Sequence, residues 1–417
     1  MLASFLDMKE LALAKAELGG APSRRQPRPV DSGDFPASNA PFQALELSLE
    51  QIDGCRAEWR DLATRALEPN AFYEPAFAIS AARHFPATER PRFIVVRDGA
   101  DRLMGLFPIV SPSPLFGDGL IRLWLHKQAA LATPLVDRDQ ALEAIEAFLD
   151  WVDVRGKCAG VVFSRIPTNG RFHEALKKAA ASSRRTETLY AYERAALLPG
   201  ADAEVEELYA RAGSKKKLAE IRRQARRLSE TGCLTFETHE SEDEIQSATE
   251  EFLALEASGW KAGRGAFLSE AALATFLRSA TRLLAPDKGC AIEALRLDGR
   301  PIAMGIVLKS QRHGYFWKIA FDESLRSKAP GVQLVYHHTK AQLDRADLDI
   351  VDSCAIANHP MIDRLWPDRI AICDLAVSLR PARHYDFAWS CWRAKARREV
   401  REFVKRAANR LLRRKVS

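Results

Sequence analysis

Short apolar runs alternate along this chain with longer stretches whose apolar positions recur every three or four residues, the pattern of strands interleaved with amphipathic helices. Ala44 to Leu49 alternates as a half-buried strand does. Glu50 to Leu67 places Ile52, Trp59, Leu62 and Ala66 on one helical face. Arg92 to Arg97 and Leu103 to Val110 flank Asp98-Gly-Ala-Asp, which predicts a hairpin. Strands are expected at Ile121 to Leu125 and Ala159 to Ile166, with a helix from Gln140 to Val154 between them. A second cycle begins near Leu189. It holds a helix from Ser214 to Gly232, a strand from Leu234 to Thr238, and helices from Asp243 to Ala257 and Ser269 to Leu284. Cys290 to Leu297 and Pro301 to Lys309 then flank Asp298-Gly-Arg as another hairpin. A strand from Gly314 to Phe321, a helix from Val332 to Leu343 and a strand at Leu348 to Val351 follow.

The two cycles match element by element: strand, helix, hairpin, strand, helix, strand. Arg102-Leu-Met-Gly105-Leu-Phe corresponds to Arg300-Pro-Ile-Ala-Met-Gly305-Ile-Val, a glycine in the second strand of each hairpin. The expected fold class is therefore α/β with mixed sheets, built from a duplicated unit. The expected division is a first unit over 42–190 and a second over 191–386. Residues 1–41, rich in Pro, Gly, Ser and Arg after a short helical stretch, read as a flexible leader. Residues 387–417 read as a basic amphipathic tail.

Composition narrows the class. At 417 residues, 47% hydrophobic and 28% charged, the chain is expected to be a globular protein of two domains. No apolar run approaches the roughly 20 residues of a membrane span, and acids stand in the first ten residues where a signal peptide needs a basic then apolar segment. A cytoplasmic location is the expectation. The seven cysteines are scattered without a Cys-x-x-Cys pair, which points away from a disulfide framework and from a metal site. The net charge of +7 is uneven: Phe387 to Ser417 carries eleven Lys/Arg against two Glu. The body is therefore close to neutral, unlike an evenly basic nucleic-acid-binding domain, and nucleic acid is not an expected partner. Trp389, Trp392, Val400, Phe403 and Val404 among those cations suit peripheral contact with an anionic inner-membrane face or a protein partner.

The segment from Phe321 to Leu334 joins a strand to a helix through a short loop containing Ala329 and Gly331. Such a junction lets backbone N–H groups hold a pyrophosphate. Arg326-x-x-Ala329-x-Gly331 resembles the Arg/Gln-x-x-Gly-x-Gly/Ala signature of the GNAT acyltransferases. Along the chain stand Asn70-Ala-Phe-Tyr-Glu-Pro-Ala-Phe, Phe93-Ile-Val-Val-Arg-Asp-Gly, Leu103-Met-Gly-Leu-Phe-Pro-Ile-Val, the basic run from Ser214 to Leu228, Leu255-Glu-Ala-Ser-Gly-Trp-Lys, Arg296-Leu-Asp-Gly-Arg-Pro-Ile-Ala and Ala329-Pro-Gly. In that order they resemble the CelD-like acyltransferases, a tandem-GNAT branch tied to cellulose and exopolysaccharide biosynthesis and related to Fem-type aminoacyltransferases. The likeness spans about residues 42 to 380. It departs from the usual loop at Ala329 and Pro330, where proline withdraws one N–H from the cradle.

The resemblance implies transfer of an acetyl or longer acyl group from acyl-coenzyme A to an amine or hydroxyl of a small molecule or saccharide precursor, with no metal. It implies a donor site at Arg326, Ser327, Lys328, Ala329, Gly331, Val332 and Gln333. Amide formation from a thioester also needs a proton acceptor and donors to the developing oxyanion. Glu256, Asp352 and His359 are the candidate bases, and Trp260, Lys261 and Trp317 the candidate acceptor-binding residues. A Cys354 acyl-enzyme is the less economical route. The helix from Lys215 to Arg227, with seven basic residues and one acid, offers a face for phosphates or an anionic acceptor. Two other readings stay open: a Fem-like aminoacyltransferase using charged tRNA, and a non-catalytic membrane-associated scaffold of polysaccharide biosynthesis.

Overall fold

The duplicated pattern folds into a single mixed sheet in which the halves exchange their last strands. The computed structural model describes residues 42–414 other than 87–89, 111–116, 156–157, 182, 201–203, 214, 260–264 and 381–383; the expected leader lies outside the described residues. The first half runs β1 (Gln43–Leu47), α1 (Leu49–Gly54), α2 (Arg56–Thr64), α3 (Pro75–His84), β2 (Arg92–Arg97), β3 (Leu103–Val110), β4 (Leu120–Leu123), β5 (Leu135–Val136), α4 (Ala141–Arg155), β6 (Gly160–Pro167), α5 (Arg171–Ala180) and β7 (Thr186–Leu197). The second runs α6 (Val205–Arg211), α7 (Lys215–Ser229), β8 (Leu234–His239), α8 (Glu242–Ser258), α9 (Ala271–Leu284), β9 (Cys290–Leu297), β10 (Arg300–Ser310), β11 (His313–Phe321), α10 (Pro330–Arg345), β12 (Ile350–Asp352), β13 (Asp368–Ser378) and α11 (His384–Arg414).

Several boundaries have a local cause. The expected single helix over 50–67 is two, because the chain breaks at Gly54 and Cys55, which leaves helical geometry. Ser48 caps α1 and Ser241 caps α8, each with the residue three positions on reaching back to complete a capping box. Gly105 and Gly305 justify their pairing in the sequence. A Cβ at Gly105 would lie 2.8 Å from Phe107, and one at Gly305 would lie 3.1 Å from Phe316 and 3.2 Å from Leu334.

Strand order across the sheet is β1-β2-β3-β4-β6-β13-β7-β12-β11-β10-β9-β8, with β5 on β3. Each half is an antiparallel series ending in a parallel pair, β4 with β6 and β11 with β12, joined by the crossover helices α4 and α10. At the centre, β7 of the first half pairs with β12 of the second, while β13 from the end of the second half pairs with β6 of the first. β7 and β13 also pair with each other over most of their length. β7 runs unbroken through residue 190, so the halves are joined there by a strand. One apolar core draws Trp59, Phe77, Phe107 and Phe148 together with Phe252, Phe276 and Trp317. A second, on α6, α7 and α10, includes Leu208, Ile221, Leu334 and Trp366. Phe42–Ala394 forms one compact unit, and the chain from Lys395 falls outside it.

Candidate active site

The parallel pair β11–β12 holds register for three residues only: His313 with Ile350, Gly314 with Val351 and Tyr315 with Asp352. β11 continues to Phe321 with β10 on one side, while β12 ends at Asp352. The sheet thus opens as a wedge along the C-terminal half of β11, which exposes strand-edge backbone groups to an extended ligand. Register with β10 shifts so that Ile306 faces Lys318 and Val307 faces Phe316. Trp317 is the extra residue of this bulge and its backbone is released from the ladder. Its ring is buried against Phe77, Phe267 and Phe276, and its indole N–H donates to the Gln128 carbonyl at 2.8 Å.

At the wide end of the wedge, Asp322 accepts the backbone N–H and hydroxyl of Ser324 and starts a 3-10 turn over Glu323–Lys328, which carries Arg326 and Ser327. Ala329 follows at φ 49°, a left-handed conformation that glycine takes without cost and alanine takes at about 1 kcal/mol. Pro330 is the first residue of α10, where an N–H would have no intrahelical acceptor and the ring already has helical φ. The Val332 and Gln333 N–H groups close on the Ala329 carbonyl, at 2.9 and 3.1 Å. The Gly331 N–H has no acceptor among the described residues, and its Cα lies so near β11 that a Cβ would meet Phe321 at 3.3 Å and Ile319 at 3.5 Å. The Gln333 side chain turns inward instead. Buried, it donates to the Ile221 carbonyl of α7 at 2.8 Å. Lys328 Nζ donates to the Arg227 carbonyl at 3.2 Å. These two bonds lay the basic helix α7 beside the loop.

The candidate bases occupy different places. Glu256, near the end of α8, is buried and accepts the Phe267 N–H at 2.8 Å. It borders a small cleft with Gly259, Ile319, Phe321 and Glu323, and so stands where β11 enters the loop. Asp352 lies at the apex of the wedge. Its carboxylate is paired at 2.5 Å with Arg194 of β7, both fully within the core, and it also accepts the Cys354 N–H. His359 is half-buried and its Nδ1 accepts the N–H groups of Met361 and Ile362, capping a turn; burial lowers its pKa. No hydrogen bond among the described residues links it to Glu256, Asp352 or the loop. Burial raises the Cys354 thiol well above its ordinary range, against thiolate chemistry there. Trp260 and Lys261 lie outside the described residues. No group of three or more His, Cys, Asp or Glu that could hold a metal occurs among the described residues.

A family model described as acetyltransferase (GNAT) domain matches residues 215–358, which span α7 through β12 and contain the wedge and its loop. Over those residues the second half is similar to a GNAT domain. The C-terminal domain of a candidate lysylphosphatidylglycerol synthetase from Agrobacterium fabrum superposes with TM-score 0.52 at 15% identity, over 83% of this chain and 96% of that one. A conserved protein of unknown function from Bacteroides thetaiotaomicron gives 0.52 at 14% identity, over 81% and 99%. No curated protein sequence matches. At these identities the likeness is one of fold, and the two halves share one order of elements, as the duplicated pattern predicts.

Sequence reasoning passed over Glu68, Arg194 and Tyr315, which the tertiary structure brings to the apex. Arg194 alone had a signal, a charge within the apolar end of a strand run.

Proposed function

We propose that this protein transfers an acyl group, in the first instance acetyl, from acyl-coenzyme A to an amine or hydroxyl of a small-molecule or saccharide-precursor acceptor by direct attack. The observation that carries this is the wedge beside β11, which ends at the loop and helix N-terminus of Ala329 to Val332 inside the GNAT match. The donor pyrophosphate would lie against the Gly331 N–H with Arg326 and Lys328 beside it. The acyl arm would follow the free edge of β11 toward Tyr315, a run of about 20 Å at 3.3 Å per residue. The backbone released at Trp317 would donate to the oxyanion as the C–N or C–O bond forms and the thiolate leaves. Isothermal titration with acetyl-coenzyme A tests this. Binding by the full chain should weaken at least about tenfold in Gly331→Glu, which sets a charge and bulk on the cradle. No heat from the unaltered chain would sink the reading.

A second reading, aminoacyl transfer from a charged RNA, is favoured by one feature, the basic helix α7 held against the same loop. Binding of a charged or uncharged tRNA that falls steeply with added salt, where acetyl-coenzyme A gives no heat, would favour it. The CelD-like setting in exopolysaccharide synthesis and a peripheral position at the inner membrane face belong to the first reading. They are supported by the ordered motifs and by α11, on which Trp389, Trp392, Val400, Phe403 and Val404 are all exposed. No helix among the described residues is long and apolar enough to cross a membrane.

A further inference from the structure

A cavity of about 470 Å³ lies at the opposite end of β11 from the donor loop and draws its walls from both halves. Tyr315 and Asp352, the last paired residues of β11 and β12, are part of that wall, so the cavity stops where the wedge begins. Its size is that of a small-molecule site.

Two of its walls are chemically distinctive. Glu68 is buried, and Oε2 accepts the Phe172 N–H at 3.0 Å, capping α5 in place of a side chain at Gly170. A Cβ at Gly170 would fall 2.3 Å from that oxygen, so the glycine makes room for the carboxyl. Oε1 has no hydrogen bond among the described residues. Asp352, by contrast, is already neutralised by Arg194. Burial raises Glu68 to about 7, near where a proton acceptor works best at neutral pH. At the mouth, Arg171 is exposed, lies near enough to Glu68 to pull against that rise, and has no hydrogen-bond partner among the described residues. Arg312 is engaged by Asp349 at 2.8 Å.

Resting on the acyl-transfer reading, we propose that this cavity holds the acceptor, a small primary amine that also carries an acidic group, with the amine at Glu68 and the acid at Arg171. The ammonium gives one proton to the Glu68 carboxylate. The free amine attacks the thioester carbon at the apex, the C–N bond forms as the C–S bond breaks, and the nitrogen's second proton leaves with the coenzyme thiolate. Glu68 then returns its proton to solvent.

Thiol release from acetyl-coenzyme A by the full chain, with the twenty amino acids and phosphoethanolamine set against ethanolamine and simple alkylamines, tests the assignment. Acidic amines should turn over and plain amines should not, and the carboxylate and phosphate arms separate the two sources of the acid. Glu68→Gln keeps an acceptor for the Phe172 N–H, and should lower kcat about 100-fold while donor affinity is unchanged. Arg171→Ala should raise KM about tenfold for acidic amines while donor affinity is unchanged. Asn169→Trp, at an exposed position on the mouth, should block acceptors without touching Glu68. Donor binding with no turnover of any acidic amine, or turnover untouched by all three variants, overturns the cavity assignment alone. Absent donor binding overturns the acyl-transfer reading and the assignment with it.

Discussion

Glu68 and Glu74 are carboxylic acids with their pKa raised to about 7, each chiefly by burial, with a single hydrogen bond apiece from Phe172 N–H and the Ser310 hydroxyl pulling the other way. A group raised in the folded state binds its proton more tightly there than in the unfolded chain. Its contribution is therefore complete below about pH 4.5 and lost as pH rises toward 7. For Glu68 alone that amounts to about 3 kcal/mol. Thermal unfolding followed from pH 5 to pH 8 should show stability falling across this window, and Glu68→Gln should flatten the slope. A pH-independent difference between the two proteins would mean that Glu68 is not held in this way. Glu74 falls within the motif from Asn70 to Phe77, whereas Glu68 carries no local signal. Glu68 follows a helix and precedes a proline, an unremarked surface position until α5 and β11 close over it.

At the scale of elements, the loop between β11 and α10 was legible as a strand-to-helix junction because its glycine, its proline and the flanking periodicities are local signals. The partners of that loop were not. α7 reaches it through Gln333 and Lys328 over about a hundred residues of intervening chain, Lys328 meeting Arg227 across a separation of 101. The helix α11 is again local: exposed Trp389 and Trp392 stack at 4.7 Å, and Val400, Phe403 and Val404 recur at helical spacing among cations. Such a stripe binds the interface of an anionic bilayer through apolar burial and charge together. Sedimentation with phosphatidylserine-containing vesicles should carry the full chain down, and neutral vesicles should not. Replacing both tryptophans by serine should weaken binding about tenfold, given ~1.5–3 kcal/mol for each large apolar side chain buried fully and less at an interface. Equal binding to neutral vesicles would show that the cations contribute nothing, and no binding to either would point to a protein partner instead.

Across the whole molecule, the exchange of β7 and β13 makes the halves interdependent. The Arg194–Asp352 pair joins β7 of one half to β12 of the other, beside their ladder. Removing one partner of such a buried pair leaves the other charge uncompensated, so Arg194→Met should destabilise by about 3–5 kcal/mol. Arg194→Met with Asp352→Asn should recover part of that loss. Chemical denaturation of the three proteins measures it, and a single variant as stable as the unaltered chain would show that the pair carries nothing.

The periodicity of apolar positions determined most of the strands and helices, the duplicated order of elements and the strand-to-helix junction after β11, because each depends on residues close together in the chain. β13 was not legible, since its place between β6 and β7 is set by pairing with segments about two hundred residues away. The same holds for the candidate site. Glu256 belongs to a local motif and borders a cleft beside the loop, whereas the apex and its cavity exist only once β12 ends at Asp352 and Glu68 folds beneath α5. Where Glu256, Asp352 and His359 stand relative to that loop was likewise decided by packing, because the groups that surround a buried carboxylate or imidazole come from distant parts of the chain.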